Sequence, residues 1–488
     1  MSNQFLILPI LIPLISGISI ALLPFRSEKS RNLFNLTAVL LNSFVILWLI
    51  LSRPAGSLTL LYLTKTLPFA LKLDGLGIIF LGLIGFLWPV STLYSFEYME
   101  HDKNQPRFFS FYTICYGVTA GVALSANPIT MYFFYELLTL VTVPLVAHEG
   151  DRQSMAAVRK YIIYSMGGAA LSLTGILMLL SHAGSVEFVY GGIGQLFQGD
   201  SFLLLAYLLT FIGFGVKSAV FPLHAWLPAA GVAPTPVTAL LHAVAVVKSG
   251  VFAAIRSTYY TFGPDLLAGT WAQQSTAVAA AFTIVFGSVM ALREQHLKRR
   301  LAYSTVSNLS YILFGMSLMT AEGLVAGLSH MLFHGVIKIT LFFCAGTVLC
   351  KTGRAYVPQT TGLGRKMPVT FITFLISGLA LTGTPLLPGY ISKMNLLMSA
   401  ALAGGPFAMA GIIALLLSAI LTAAYLLPMG IRAFLVTPED SLSFTEHDRD
   451  PGWQMLVPFT VLVLTMLVLG IHAEPLMNAL ESLIMGSV

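Results

Sequence analysis

Apolar runs of about twenty residues, the length a helix needs to cross a bilayer, recur from one end of this chain to the other. They can be drawn at 4–23, 33–51, 74–94, 108–125, 127–147, 159–181, 203–227, 236–255, 270–292, 301–319, 323–349, 368–400, 406–433 and 454–473. Only 9% of the residues are charged, 57% are hydrophobic, and the mean hydropathy is +0.84. Soluble domains carry roughly 25% charged residues, so this chain has too little polar surface to face water. Its 488 residues therefore form one membrane bundle, not three or four soluble domains. The expected fold class is an all-α polytopic membrane protein of about fourteen transmembrane helices. Residues 4–23 read as the first of them, because no basic segment precedes them and no small-residue cleavage site follows. Cys115, Cys344 and Cys350 fit neither a metal-binding nor a disulfide pattern.

The charges sort by side. Eighteen of the 26 lysines and arginines fall in one alternating set of loops, with Arg26, Lys29 and Arg31 in the first and Arg293, Lys298, Arg299 and Arg300 in the densest. The opposite set holds Arg53, Lys65, Lys72 and Arg256. The positive-inside rule makes the first set cytoplasmic and puts both termini outside an inner (cytoplasmic) membrane. The net charge of +6 thus reflects topology and gives no reason to expect nucleic acid.

Four lysines remain, Lys217, Lys248, Lys338 and Lys393, and each falls inside an apolar stretch. A lysine at a helix centre costs roughly 2.5–3.5 kcal/mol on insertion scales. Snorkelling serves helix ends better than centres. A static pair with the one central acid, Glu136 in FFYELLTL, accounts for at most one lysine. The functional alternative is proton transfer. Removing an amine from water disfavours its charged form and a nearby carboxylate restores it, so Glu136 can set the proton affinity of a lysine partner. Two stretches read as broken helices: VKSAVFPLHAWLPAAGVAPTP, with Lys217 before Pro222, and LTGTPLLPGYISK, with Pro385 and Pro388 before Lys393. Interrupted membrane helices line protein or a wet cavity. At corresponding places in two halves they point to a transport site.

Histidine titrates near neutrality and suits a relay. His330, His334 and Lys338, at i, i+4 and i+8, lie on one helical face spanning about 12 Å. His242 and Lys248 are expected to share a helix in LLHAVAVVKSG, and His224 lies just past the Pro222 break. Each lone histidine also has a bland reading as a hydrogen-bonded core residue. Two histidines one turn apart cannot supply opposite axial ligands to one haem, and no carboxylate or cysteine lies near enough in sequence to complete a metal site. No cofactor or metal is expected, for there is also no Gly-rich nucleotide loop, cysteine cluster or soluble redox domain.

VKSAVFPLHAWLP followed by APTPVTALLHAVAVVKSG resembles the signature of the antiporter-like membrane subunits of respiratory complex I, Mrp-type cation/proton antiporters and membrane-bound hydrogenases. HLKRRLAYSTVSNLSYI at 296–312, HMLFHGVIKITLFFCAG at 330–346 and TGTPLLPGYISK at 382–393 extend the likeness across roughly 120–400. The resemblance implies two inverted five-helix repeats and a division into 1–107, 108–255 (first repeat), 256–433 (second repeat) and 434–488. It implies that Glu136, Lys217, Lys248, His334 and Lys393 carry a proton relay, with His330, Lys338, His242 and His224 supporting. Many members have an aspartate after the LP of the first broken helix, where this chain has Ala229. The chain is similar to the medium-sized members, without the long lateral C-terminal helix of the largest complex I member.

The resulting expectation is a proton- or sodium-translocating subunit of a membrane-bound electron-transfer complex (complex I-like NADH-quinone oxidoreductase or energy-converting hydrogenase), without a redox site of its own. Its partners are other membrane subunits and the lipid bilayer. The alternative is a subunit of a stand-alone Mrp-type antiporter, and a third reading is a non-transporting assembly scaffold. Lysine and histidine relays favour protons, whereas sodium wants clustered oxygen ligands and Glu136 is the one buried carboxylate expected.

Overall fold

The computed structural model describes residues 3–65, 67–184, 187–194, 196–197, 199–436 and 448–485, so part of the 434–488 division lies outside the described residues. After a 3-10 turn at Asn3–Ile7 come α1 (Leu8–Leu22), α2 (Glu28–Ser52), a hairpin of β1 (Ser57–Thr64) and β2 (Leu67–Lys72), and α3 (Gly75–Tyr98). The next group is α4 (Gln105–Leu124), α5 (Pro128–Val146), α6 (Arg152–Ala183), α7 (Ser201–Lys217), the short α8 (Trp226–Ala229), α9 (Thr235–Ala243) and α10 (Val246–Ser257). A short α11 (Pro264–Leu267) leads to α12 (Trp271–Arg293), α13 (Leu297–Ser317), α14 (Ala321–Thr352), α15 (Pro368–Thr382), α16 (Pro388–Ala403) and α17 (Gly405–Leu435). The chain ends with α18 (Trp453–Ile471) and α19 (Glu474–Met485).

Each of the fourteen apolar stretches falls on helix, 203–227 and 368–400 only in pieces, and the protein is a multi-pass membrane bundle. Ten helical runs among the described residues are long and apolar enough to cross a bilayer. α7 and α15 are apolar but shorter, because each is the first piece of a broken helix. α13 is long enough but polar, since it buries Ser304, Thr305, Ser307, Asn308 and Ser310 inside the bundle. The hairpin 57–72, antiparallel and mostly exposed along β1, and the amphipathic α19 were not legible as apolar spans.

Burial separates two kinds of helix. The run 235–262 is buried on every side and α14 nearly so, whereas α2, α17 and α18 bury one stripe and turn the rest outward. A helix apolar all round belongs in the centre of a bundle, so α9, α10 and α14 form the axis, and they carry five of the nine candidate relay residues, His242, Lys248, His330, His334 and Lys338. Side-chain caps start helices of both kinds. Asn127 accepts from the Thr130 N–H at 2.9 Å to open α5, and Thr320 accepts from Gly323 at 3.1 Å to open α14. Such caps satisfy donors that a helix start otherwise leaves unpaired.

Three expectations need correction. His242 and Lys248 do not share a helix. The Val244 and Ala245 N–H groups both donate to the Leu240 carbonyl, at 3.0 and 2.8 Å, and this bulge ends α9 at Ala243 and restarts the chain as α10. Arg256 is not in a loop but fully buried in the last turn of α10, because Asp74 at the start of α3 neutralises it. Lys298 and Arg300 are likewise buried, in the first turn of α13. Glu136 is also not the one carboxylate withdrawn from solvent: its side chain is 24% exposed, and that of Asp74 is 15% exposed.

Candidate functional site

The first element is the break after α7. The helix stops at Lys217, Ala219 takes a left-handed φ of 56°, and the prolines from 222 onward prevent the helix from resuming. The freed Val216 carbonyl accepts the Trp226 indole N–H at 2.7 Å. Lys217, with no exposed surface, turns to α5, where it donates to the Tyr135 carbonyl and lies 3.4 Å from the Tyr135 ring centroid. Its Nζ is 3.6 Å from Glu136 Oε1, an ion pair looser than a hydrogen bond. Gly250 of α10 is packed against this break. A Cβ there would stand 2.6 Å from the Ser218 nitrogen and 2.8 Å from the Lys217 carbonyl carbon, so α10 meets the Lys217 backbone directly.

Two residues before Gly250, Lys248 points from α10 to α14, where its Nζ is 2.5 Å from His334 Nδ1. One turn along α14, His330 lies with its ring 5.8 Å from that of His334, and its Nδ1 is 2.9 Å from the Ser392 hydroxyl of α16. The His330 ring stacks on Tyr311 of α13 at 5.1 Å, and the other side of this cluster is Lys393, whose Nζ is 5.3 Å from the Tyr311 centroid. Lys393 donates to the Leu381 and Thr382 carbonyls at 2.7 and 3.0 Å. These carbonyls are unpaired because α15 ends at Thr382 and the chain turns through Gly383 (φ 98°) before Pro388 opens α16. Lys393 is only 7% exposed and reaches into the protein, so it does not snorkel.

Lys338, one turn past His334, donates to the Leu301 carbonyl at 3.0 Å and to the Ser304 hydroxyl of α13. The i, i+4, i+8 face of α14 therefore serves three neighbours: His330 meets α16, His334 meets α10, and Lys338 meets α13. His242 stacks on Phe342 at 4.6 Å, with neither ring nitrogen paired to a protein atom. His224 is the one candidate not brought to this line. It sits in the turn before α8, against Phe221 and, at 4.7 Å, Phe286 of α12. The chemistry available along the line is proton exchange between amines, imidazoles and one carboxylate, in surroundings where an unpaired charge is strongly disfavoured.

A family model described as "NADH:quinone oxidoreductase/Mrp antiporter, TM" matches residues 125–422, and one described as "NADH-Ubiquinone oxidoreductase (complex I), chain 5 N-terminus" matches 63–109. The first spans more than half of the chain. The protein belongs to this antiporter-like family. It is 30% identical over 415 residues to NADH-quinone oxidoreductase subunit N of Desulforudis audaxviator, covering 81% of this chain and 80% of that one. It is 34% identical over 335 residues to the A/B subunit of the probable K(+)/H(+) antiporter of Rhizobium meliloti, covering 67% of this chain but only 32% of that protein. It likewise spans half of the A1 subunit of the Na(+)/H(+) antiporter of Staphylococcus aureus. The fold is that of a chain in the membrane-bound sulfane sulfur reductase, an archaeal respiratory membrane complex (TM-score 0.86, 23% identity, 99% of this chain and 98% of that one). A chain of the Mrp complex from Dietzia gives a TM-score of 0.83 at 20% identity, covering 99% and 97%.

The family resemblance read from the sequence thus holds, and the lysine and histidine motifs that carried it fall inside the matched region. Sequence reasoning missed Tyr135, Tyr311 and Ser392, which stand against the relay candidates. Only their adjacency to Glu136 and Lys393, or their place within a polar helix, could have singled them out. It also missed the Arg256–Asp74 pair, in which two guanidinium nitrogens meet both carboxylate oxygens while Phe188, Phe252 and Tyr260 ring the cation.

Proposed function

We propose that this antiporter-like protein translocates protons for a membrane-bound electron-transfer complex of the complex I or energy-converting hydrogenase kind, taking its energy from partner subunits. The observation that carries the reading is the Lys248–His334 contact at 2.5 Å. It joins the Glu136–Lys217 side of the molecule to the His330–Lys393 side through the most buried helices. Protons are favoured over sodium because the line offers amines and imidazoles, with few oxygen ligands clustered on it. Transport runs from the pair Glu136–Lys217, through Lys248, His334 and His330, to Lys393. Beyond Lys393 on α16, Asn395, Glu322 and Glu481 border a cavity of about 230 Å³ that offers a way out. Lys338 and His242 support the line. The orientation is both termini outside the inner membrane, and the division is 1–107, 108–255, 256–433 and 434–488, with 108–255 and 256–433 as inverted repeats. The order of elements supports these repeats, since the interrupted span is the fourth of five in each.

Membership of a stand-alone Mrp-type antiporter is the second reading, favoured by the identity to the K(+)/H(+) and Na(+)/H(+) antiporter subunits. Identifying the subunits that co-purify with the chain separates the two. Glu136→Gln tests the transport reading itself. It removes the carboxylate that holds Lys217 charged, so the assembled complex should lose about a hundredfold in translocation rate, within the range that a positioned proton-transfer group supplies. An assembled Glu136→Gln complex that pumps normally removes the pair from the mechanism.

A further inference from the structure

The relay leaves unused a groove that runs down the outside of the bundle between α2 and α3. At the N-terminal end of α2 it opens into a cavity of about 510 Å³ whose border includes Glu28, Lys29, Glu100 and Trp453. Further along, the same two helices border a second cavity of about 400 Å³. The two lie on one line. Lys29, Leu33 and Leu36 of the first cavity and Leu40, Leu47 and Ile50 of the second follow one another along α2 at spacings of three, four or seven residues, so they share one helical face. On α3, Phe96 and Leu93 of the first lead in the same way to Phe86 and Gly82 of the second. Leu33, Leu40 and Leu47 are each more than half exposed, so no part of this chain covers that face. From Leu36 to Ile50 the stripe runs about 21 Å, enough for an extended acyl chain of one leaflet, whose share of the hydrocarbon core is about 15 Å deep.

The chemistry changes along this line. In the second cavity the Ser43 hydroxyl is taken up by the Val39 carbonyl at 3.1 Å and the Tyr116 hydroxyl at 2.8 Å, which leaves an apolar wall. In the first, Glu28, Lys29 and Glu100 are exposed, and none has an ion-pair partner among the described residues. The buried Gln105 amide ties this end together. Its oxygen accepts from Arg31, and its nitrogen donates to Glu28 Oε1 at 3.4 Å and to the Glu100 carbonyl at 3.0 Å. Trp453, 65% exposed, opens α18 beside it, and indoles favour the headgroup level of a bilayer. We propose that the groove holds one phospholipid with a primary-amine headgroup, of the phosphatidylethanolamine class. Its ammonium sits with Glu28 and Glu100, its phosphate with Lys29, and a chain follows the α2 stripe. Two carboxylates against one lysine disfavour a headgroup of net negative charge. Carboxylates are acceptors that want N–H donors, which a quaternary choline lacks. The site takes no part in the relay, so it stands or falls apart from the transport reading.

The test exchanges the assembled complex into vesicles of phosphatidylethanolamine, phosphatidylglycerol and phosphatidylcholine in equal parts. The complex is then re-extracted in mild detergent, and the lipid it retains is counted by mass spectrometry. Wild type should retain more phosphatidylethanolamine than a complex carrying both Glu28→Gln and Glu100→Gln. Its preference for that lipid over phosphatidylcholine should fall about tenfold in the double variant, as the loss of a charge-assisted hydrogen bond implies. Gly82→Leu fills the apolar end and leaves every charge in place. A Cβ at Gly82 meets only Ile50 Cδ1, at 3.8 Å, so α3 accommodates it, and this variant should lose the same lipid. Both variants retaining phosphatidylethanolamine at the wild-type level, or wild type retaining the three lipids equally, overturns the proposal. A photo-crosslinking residue in place of Leu47 reads the occupant directly in native membranes. Capture of phosphatidylethanolamine supports the site, and capture of a partner polypeptide overturns it.

Discussion

The two broken helices place their lysines on opposite sides of the break and satisfy them differently. At the first, Lys217 is the last residue of α7, the Trp226 indole takes up the freed Val216 carbonyl, and the ammonium is left to Tyr135 and Glu136. At the second, Lys393 follows the break in α16 and itself satisfies the freed carbonyls of Leu381 and Thr382. Both ammonium groups lie over a tyrosine, Tyr135 of α5 and Tyr311 of α13, each in the second span of its run of five. Beside Tyr135 stands Glu136; beside Tyr311 stands the buried Ile312. One half thus has a lysine whose charge a carboxylate can hold or release, and the other has a lysine held only by neutral oxygens. The two breaks thus differ in charge, with a carboxylate beside the first lysine and only neutral oxygens on the second. Neutral oxygens stabilise an ammonium less than a carboxylate does, which suits release at the Lys393 end.

The largest effect in this comparison is expected at Lys393. Lys393→Ala removes both the titrating group and the donor for two carbonyls, whereas Lys393→Gln keeps a donor and loses only the proton. Both should cut translocation by about a hundredfold, but Lys393→Ala should also lower the amount of assembled complex, because its carbonyls are left unpaired. Ion translocation per electron, read beside complex yield, separates the two; a Lys393→Gln complex that pumps normally would make Lys393 a structural cap and nothing more.

A smaller effect is expected at Asp74, since Arg256–Asp74 is the static counterpart of Glu136–Lys217. Its two contacts are tight and bidentate, where the Lys217 pair is a single loose contact at 3.6 Å. Asp74→Asn leaves a fully buried guanidinium without its counter-charge, at a cost of about 3–5 kcal/mol in stability. Thermal unfolding of the solubilised complex should show the loss, while translocation by the material that survives stays near normal. A transport defect without destabilisation would place Arg256 on the ion path.

The smallest effect is expected at the tyrosines. Tyr135→Phe and Tyr311→Phe keep the ring face that each ammonium meets, and exchanging one ring for the other changes the attraction by well under the roughly 0.5–2 kcal/mol that the whole contact is worth. Rates within about twofold of wild type are predicted for both. A severe loss at either position would move the hydroxyl, and not the ring, into the mechanism.

Much of this was legible in the sequence, for physical reasons that also explain the gaps. Spans are set by apolar length, so all fourteen stretches fell on helix, and the Pro and Gly clusters marked both breaks. The Val244–Ala245 bulge carries neither proline nor glycine, and nothing in LLHAVAVVKSG distinguishes it from continuous helix. A cation near the end of an apolar run ordinarily reaches water, so sequence alone puts Arg256 and Lys298 in loops. Their burial depends on Asp74 and on the Ala233 carbonyl, contacts across 182 and 65 residues that no local pattern encodes. Glu136 and Lys217 could each be singled out as a lone charge in an apolar stretch, but which lysine would meet His334 depended on how α10 packs against α14.

In the proposed mechanism one proton path joins the two halves at Lys248 and His334. The most direct test is the number of ions translocated per electron by an assembled complex carrying Lys248→Ala, with the amount of complex and its electron-transfer rate measured on the same membranes. The path predicts normal assembly and a translocation ratio reduced to the background of a complex lacking this protein's contribution. An unchanged ratio in the assembled Lys248→Ala complex would contradict it.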